Sequence, residues 1–395
     1  MSDAALQTDF AGRRGRLFRL ALKTSLLTVL TLGFYRFWMK TRLRRYYWSS
    51  IRPGGVPLEY AGLGTEKLLG FLIAVVFMAF YIGVVNLLLM FASFAVLQGN
   101  GVAYLFSLVG VIPIIFFAQY RARRYVLART RWRGIRFGLE PGAWGYAWRA
   151  LGHWLLTILT LGLLWPRKTF WLEKYRTDRT RFGTQPLVQE GRWTMLLRPF
   201  LPVVLGVAGI AVAVILGAGG IYPAFAALAP LAVFTVWAVI HWRVASFRQL
   251  ANHKRAGRIT FRARPRTGRV ARIYVLGWLA IGLMLALVGI GFLVALALVA
   301  EQVFGSTDPV NDFTALARSL PRWATVVAAV VFYFTAFILL GVLTHVFLTM
   351  PLLRHYAETF EIDGAGALPR IAQRGRDEFA EAEGFAEALD VGAAI

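Results

Sequence analysis

The sequence predicts an all-α membrane protein: six transmembrane helices in three hairpins, two short re-entrant or interfacial helices, and an internal parallel repeat. Three observations carry that expectation. Of 395 residues, 58% are hydrophobic and only 16% charged, against about 25% charged in a soluble domain. Long stretches lacking Asp, Glu, Lys and Arg recur along the chain. One apolar phrase, LLTVLTLGFYRFW at residues 26–38, returns 129 residues later as LLTILTLGLLWPR.

The spans come first. Residues 68–97, 199–240, 273–300 and 323–350 contain no acidic residue, lysine or arginine. About 20 apolar residues cross a bilayer as a helix, so 199–240 holds two spans, broken by GAGGIYP at 217–223. The apolar run 102–118 is near the lower limit and brings the total to six. The absence of cysteine rules out disulfides and thiolate metal ligands. Arg13, Arg14, Arg16 and Arg19 precede an apolar run in the manner of a signal peptide. FYRFWMKTRLRRYYW then follows where a small-residue cleavage site would stand, so the segment is expected to be retained.

Charge orders the loops. The net charge of +24 does not point to nucleic acid, because 42 of the 44 lysines and arginines fall outside the charge-poor loops 98–101, 217–223 and 301–322. Cytoplasmic segments carry the Lys and Arg excess, which puts those three loops outside and both termini in the cytoplasm. If both copies of the repeated phrase crossed the membrane, 17 basic residues would lie on the outer side. Length agrees with the non-spanning alternative: residues 24–35 make about 18 Å of helix against a hydrocarbon core of about 30 Å, and the second copy, 151–165, is little longer. Each is expected to enter and leave on the cytoplasmic side or to lie in the interface. Thr24, Thr28, Thr31, Thr157 and Thr160 can bond back to the preceding turn, and Gly33 and Gly162 suit a helix stop. Phe34, Tyr35, Phe37, Trp38, Trp165 and Trp171 are placed at headgroup level.

The repeat extends beyond the phrase. At the same offset Arg45-Tyr46 matches Lys174-Tyr175, Pro57-Leu58 matches Pro186-Leu187, Gly62 matches Gly191 and Phe71 matches Phe200. The chain divides accordingly into a first unit (1–138) and a second (139–264), each an interfacial helix plus two spans, then a third hairpin (265–362) and an acidic tail (363–395). Two spans per unit keep successive units in one orientation, so the pseudosymmetry axis runs along the membrane normal.

FAGRRGRLFRLALKTSLLTVLTLGFYRFWMKTRLRRYYW, the following PLEYAGLGTE and the C-terminal GFAEALDVGAAI resemble the YjgN family of bacterial inner-membrane proteins, a domain of unknown function. The resemblance covers most of the chain. It implies an inner-membrane location and this architecture, and it brings no catalytic residues. The second copy departs from the pattern, since Glu59, Tyr60 and Gly64 become Val188, Gln189 and Trp193. Any role of that turn is therefore expected in the first copy alone.

The most suggestive feature is a basic and aromatic segment: Arg36, Lys40, Arg42, Arg44 and Arg45 with Tyr46, Tyr47 and Trp48, echoed by Arg121, Arg123 and Arg124. Such clusters beside a membrane segment bind anionic lipid; the plainer reading is that they set topology. The turn at Glu59, Tyr60, Gly62 and Gly64 reads as structural, with an anion-cradling glycine loop as the sharper and weaker alternative. Inside the spans Asn86 and His345 are the notable polar residues, and no carboxylate accompanies them. Gly209, Ala213 and Gly217, at four-residue spacing, mark close helix packing.

Five histidines without metal-ligand spacing indicate no metal site. No nucleophile, base and orienter can be named, so neither an enzyme nor a cofactor is expected. The tail, with Glu381, Glu383, Glu387 and Asp390, is either solvated or folded back on the basic segments. The expectation is a noncatalytic module that recognises anionic lipid or another membrane component through a basic and aromatic collar. The alternative is a transporter or channel for a small solute. Membrane lipids are the expected partners, and the sequence does not specify an oligomeric state.

Overall fold

The computed structural model describes residues 5–96, 102–304 and 322–375. The expected loop 98–101, most of the loop 301–322 and the acidic residues Glu381, Glu383, Glu387 and Asp390 lie outside them.

The apolar runs form helices, and so do the basic segments 36–50 and 165–177. In chain order these are α1 (Arg14–Leu30), α2 (Arg36–Ser50), α3 (Gly64–Phe80), α4 (Asn86–Val96), α5 (Val102–Ala128), α6 (Ala143–Leu159) and α7 (Trp165–Thr177). They continue as α8 (Leu197–Ala218), α9 (Leu228–Asn252), α10 (Thr267–Phe304), α11 (Arg322–Thr344) and α12 (Met350–Glu358). Five stretches are long and apolar enough to cross a membrane: Gly64–Ala92, Trp193–Ala218, Tyr222–Asn252, Thr267–Ala295 and Val326–Glu358. The chain is a multi-pass membrane protein. The first and last of these stretches each contain a π-helical turn, Tyr81–Val85 and His345–Thr349.

The repeated phrase does not make one short helix. It is the end of a longer helix and the start of the next. The first helix of each pair, α1 and α6, has 17 residues and begins well before the expected boundary. The chain then reverses through Leu32 (φ 50°) and Gly33 (φ 94°) in one copy, and Leu161 (φ 49°) and Gly162 (φ 90°) in the other. Gly33 N–H reaches back to Thr28 O and Gly162 N–H to Thr157 O, both at 2.7 Å, the six-to-one bond that closes a helix over a left-handed residue. One threonine serves both helices of each pair. Thr31 Oγ1 donates to Leu27 O at 2.7 Å and accepts from Tyr35 N–H at 2.9 Å. Thr160 Oγ1 donates to Leu156 O at 2.8 Å and accepts from Leu164 N–H at 3.3 Å. The side chains left at the apices are apolar: Leu32 is 92% exposed and Leu161 95%.

The expectation of an all-α fold is corrected by two antiparallel sheets. One has the order β2 (Ile51–Pro53), β1 (Leu6–Phe10), β11 (Phe360–Asp363), β10 (Ile259–Ala263), β9 (Lys254–Ala256), β8 (Val188–Gln189). The other runs β3 (Leu58–Tyr60), β4 (Thr130–Trp132), β5 (Ile135–Leu139), β6 (Thr180–Phe182), β7 (Gln185–Pro186). Six of these strands, β2, β4, β5, β6, β9 and β10, carry lysine or arginine from the basic segments. In TRWRGIRF the side chains alternate faces, burying Thr130 and Trp132, and the turn residues Arg133 (φ 52°) and Gly134 (φ 76°) both adopt the left-handed conformation of a tight hairpin. Trp132, Phe182, Ala256, Ile259, Ile362, Leu368 and Ile371 form one buried cluster. Residues 363–371, read from sequence as tail, thus end a strand and contribute to a core.

Two compact units emerge. One comprises Met1–Ala11, Lys40–Val270 and His355–Ile395, the other Gly12–Met39 and Ala271–Arg354. In the first, α8 lies close along α9: a methyl added at Gly209 would come within 2.9 Å of Leu231, and one at Gly217 within 2.5 Å of the Phe225 ring in the turn that leads into α9. Ala213, between them, is buried. In the second, α1 packs on α11 with Leu17, Ala21 and Thr24 buried, and Ile281, Leu343 and Leu348 form the core.

Candidate functional site

Tyr60 organises the turn between α2 and α3. As the last residue of β3 it pairs with Thr130 of β4 and is buried. The Arg44 guanidinium lies 5.3 Å from its ring centroid and the Lys67 ammonium 5.5 Å, so a buried ring faces two cations. Arg44 Nη1 also donates to the Tyr60 hydroxyl at 3.3 Å. Gly62 is required because any side chain there would meet the Tyr60 ring within 2.7 Å. Arg45 Nη2 donates to Gly62 O at 2.8 Å, and Gly64 opens α3. Glu59 is exposed on β3 opposite Arg131. The turn is a structural junction, and two residues of the basic cluster, Arg44 and Arg45, hold it.

The other members of that cluster go elsewhere. Arg36 and Arg42 are exposed on α2 and Lys40 is half-buried. At the end of α5, Arg121 stacks 5.5 Å over Phe117, and Arg124 Nε donates to Leu139 O at 3.0 Å. Arg123 lies 3.7 Å from Glu173. Glu173 also receives Lys254 Nζ at 2.5 Å and Arg176 at 2.8 Å. This carboxylate with three cations ties α5, α7 and β9 together. Burial pushes the Glu173 carboxyl up, and Lys254, Arg176 and Arg123 together push it further down, holding it well below the usual carboxylate range.

Between the start of α3 and the end of α5 lies an open cavity of about 570 Å³. Six arginines and two glutamates line it, an excess of positive charge that the five-stranded sheet creates by placing alternate arginines on one side. Arg124 and Arg129 come from the end of α5 and beyond, Arg131 from β4, Arg136 from β5, Arg181 from β6 and Arg374 from the C-terminal segment. Both carboxylates are engaged. Glu66 accepts from Arg129 Nε at 3.1 Å and the Tyr125 hydroxyl at 2.8 Å. Glu140 accepts from Arg181 Nε at 2.6 Å. Arg129 Nη2 is 3.1 Å from the second Glu66 oxygen, close enough for an ion pair yet off the hydrogen-bond axis. Arg131 Nε is buried and has no hydrogen-bond partner among the described residues.

Of the residues singled out from sequence, only Arg124 reaches this cavity. Arg129, Arg131, Arg136, Arg181 and Arg374 were not among them. The legible signal was the alternation of Arg129, Arg131 and Arg136 around the Arg133-Gly134 turn, which is a strand pattern. Asn86 begins α4 directly after one π-helical turn, and His345 opens the other; such turns recur at functional sites. Among the described residues no group of three or more His, Cys, Asp or Glu is placed to hold a metal ion.

Residues 5–227 match a family described as bacterial protein of unknown function (DUF898). The chain belongs to the DUF898 family. All but one of the cavity's charged residues fall within that matched stretch, the exception being Arg374. The DUF898 chain is also similar to inner membrane protein YjgN of Salmonella typhimurium (strain LT2), at 29% identity over 140 residues. That similarity spans 35% of this chain and 33% of the relative, about a third of each. No solved structure matches.

Proposed function

We propose that this DUF898 protein is a noncatalytic multi-pass module of the bacterial inner membrane that recognises anionic lipid, or another anionic membrane component, through its basic segments. The observation that carries the reading is the arginine-lined cavity at the ends of α3 and α5, where six guanidinium groups face two carboxylates that are already paired. Each basic group near an anionic surface contributes about 1 kcal/mol. The similarity to an inner membrane protein of Salmonella supports the location.

In this reading α5 is the sixth span, its 27 residues making about 40 Å of helix. Both termini and all the basic segments are cytoplasmic, following the positive-inside rule. The chain is an internal repeat, supported by the matching dihedral angles at Leu32-Gly33 and Leu161-Gly162. The two leucine-tipped hairpins dip into the cytoplasmic leaflet, since an exposed Leu at each apex gains nothing in water and about 2 kcal/mol in hydrocarbon.

Native mass spectrometry of the gently purified protein tests the function: anionic lipid should stay bound to the native chain and be lost when Arg131 and Arg136 are replaced by glutamine. A native chain carrying only zwitterionic lipid would overturn it. A second reading, transport of a small solute, is favoured by the π-helical turns at Asn86 and His345. It requires that Asn86→Ala or His345→Ala change solute flux in proteoliposomes.

A further inference from the structure

We infer that the arginine cavity is a binding site for a phosphate group carrying two or more negative charges, a phosphomonoester or diphosphate in chemical class. This deepens the lipid-recognition reading and depends on it only for the source of the ligand.

Charge sets the class. Among the described residues the lining sets six arginines against two glutamates, and each glutamate is already engaged by an arginine. A phosphodiester brings a single negative charge to so many guanidinium groups. A monoester near neutral pH carries about 1.5 to 2 negative charges, and a diphosphate more. Guanidinium groups present paired N–H donors that match phosphate oxygens, and Arg131 Nε is a buried donor with its capacity unused.

The wall is built. Arg124 and Arg129 are both buried, so their heads are fixed by packing. Arg124 is held through Leu139 O. The segment that delivers Arg374 is pinned to the sheet: Thr184 N–H donates to Ala372 O at 3.0 Å, and Arg136 N–H to Gln373 Oε1 at 2.9 Å. Gly183 lets it approach, since an added methyl would lie 2.8 Å from Ile135 and collide with Ala372 O. The remaining wall is apolar, with Leu63, Phe137, Leu139 and Pro141, and it adjoins the start of a membrane-spanning stretch at Gly64. A phosphate on a glycerolipid would therefore meet charge at its head and apolar surface at its neck. A soluble phosphate compound satisfies the same charge without using that surface.

The test uses the full chain in mixed micelles, titrated with phosphatidic acid, phosphatidylglycerol and inorganic diphosphate at one fixed salt concentration, with binding read by thermophoresis. Phosphatidic acid should bind at least about tenfold more tightly than phosphatidylglycerol, and Arg131→Gln with Arg136→Gln should weaken it by about tenfold or more. Arg131→Lys with Arg136→Lys keeps the charge and loses the fork; it should bind at an intermediate strength, with an unchanged melting temperature showing that the fold is intact. If diphosphate alone binds and the glutamine pair abolishes that binding, the site stands and its ligand is soluble. Equal binding of the two lipids, unaffected by the glutamine pair, would overturn the site. If anionic lipid is then still lost on neutralising Arg36, Lys40 and Arg42, the broader lipid-recognition reading survives, and if it is not, both fail.

Discussion

Glu66, in the first turn of α3, is met by two side chains from the far end of α5: the Tyr125 hydroxyl at 2.8 Å and Arg129 Nε at 3.1 Å, 59 and 63 residues along the chain. The contact joins the start of one apolar helix to the end of another. It also keeps one of the cavity's arginines neutralised, so structure and charge balance rest on the same carboxylate.

Glu66→Gln preserves shape and removes that charge. The Arg129 guanidinium, 10% exposed, loses its counterion, and the expected cost is about 1–3 kcal/mol. Thermal unfolding in detergent should show the loss, and Arg129→Gln in the same background should add little, because the two side chains act as a pair. The variant should also bind anionic lipid more tightly than the native chain. An unchanged melting temperature would mean that the pair is incidental.

Glu173 gives a pH signature. Its carboxyl is held well below the ordinary range by Lys254, Arg176 and Arg123 despite burial. A depressed acid contributes stability above its unfolded pKa, about 4.3, and that stability is lost as pH falls through the folded value. Glu173→Gln should cost about 3 kcal/mol at neutral pH. The gap between native and variant should stay constant up to pH 8 and close only in acid. A gap that widens in acid contradicts the assignment.

Lys168 is the converse case. Its ammonium sits 3.3 Å from the Trp165 ring centroid and 3.4 Å from that of Trp154, and burial pushes its pKa down to about 8. A depressed base costs stability in full below its folded pKa, and the cost is relieved as pH rises toward the unfolded value of about 10.4. At the same register in the first copy stands Met39, within 3.7 Å of the Ser25 and Thr28 hydroxyls. Lys168→Met should therefore fold, lose about 1–2 kcal/mol of cation–π attraction and recover a similar desolvation cost. Denaturant titrations at pH 7 and 9.5 should show native stability rising by on the order of 1–2 kcal/mol and the variant's staying flat.

Sequence and structure agree where a single signal dominates. Uninterrupted apolar length makes the spans plain, and Thr-Leu-Gly fixes the reversal because only a residue tolerant of positive φ can follow the leucine there. The sheets escaped because their strands are two to five residues long and several of them carry the arginines that also satisfy the topology rule. A count of charges cannot distinguish a strand that alternates arginine with Thr130 and Trp132 from a solvated basic loop. Nor does it distinguish, within the cluster at 36–45, Arg44 and Arg45, which are committed to Tyr60 and Gly62, from the exposed Arg36 and Arg42.

The hairpin apices carry the last prediction. Leu32 and Leu161 are almost fully exposed at positive φ, a conformation that costs L-residues about 1–2 kcal/mol, and each is flanked by exposed Leu30 and Phe34 or by Leu159 and Leu163. Lipid around the tips would offset that cost. A cysteine at residue 32 or 161 of this cysteine-free chain, carrying an environment-sensitive dye, should emit to the blue and be quenched by shallow spin-labelled lipid. In the proposed topology both hairpins return to the side they left, so an impermeant reagent applied outside should label a cysteine at Gly219 and spare one at Ser49. Leu161→Asp should shift the dye on residue 32 little and weaken insertion of its own hairpin by on the order of 2 kcal/mol. Labelling at Ser49 from outside would mean instead that the first hairpin crosses the membrane, reversing every segment between residues 36 and 67 and moving Arg44 and Arg45 to the outer face.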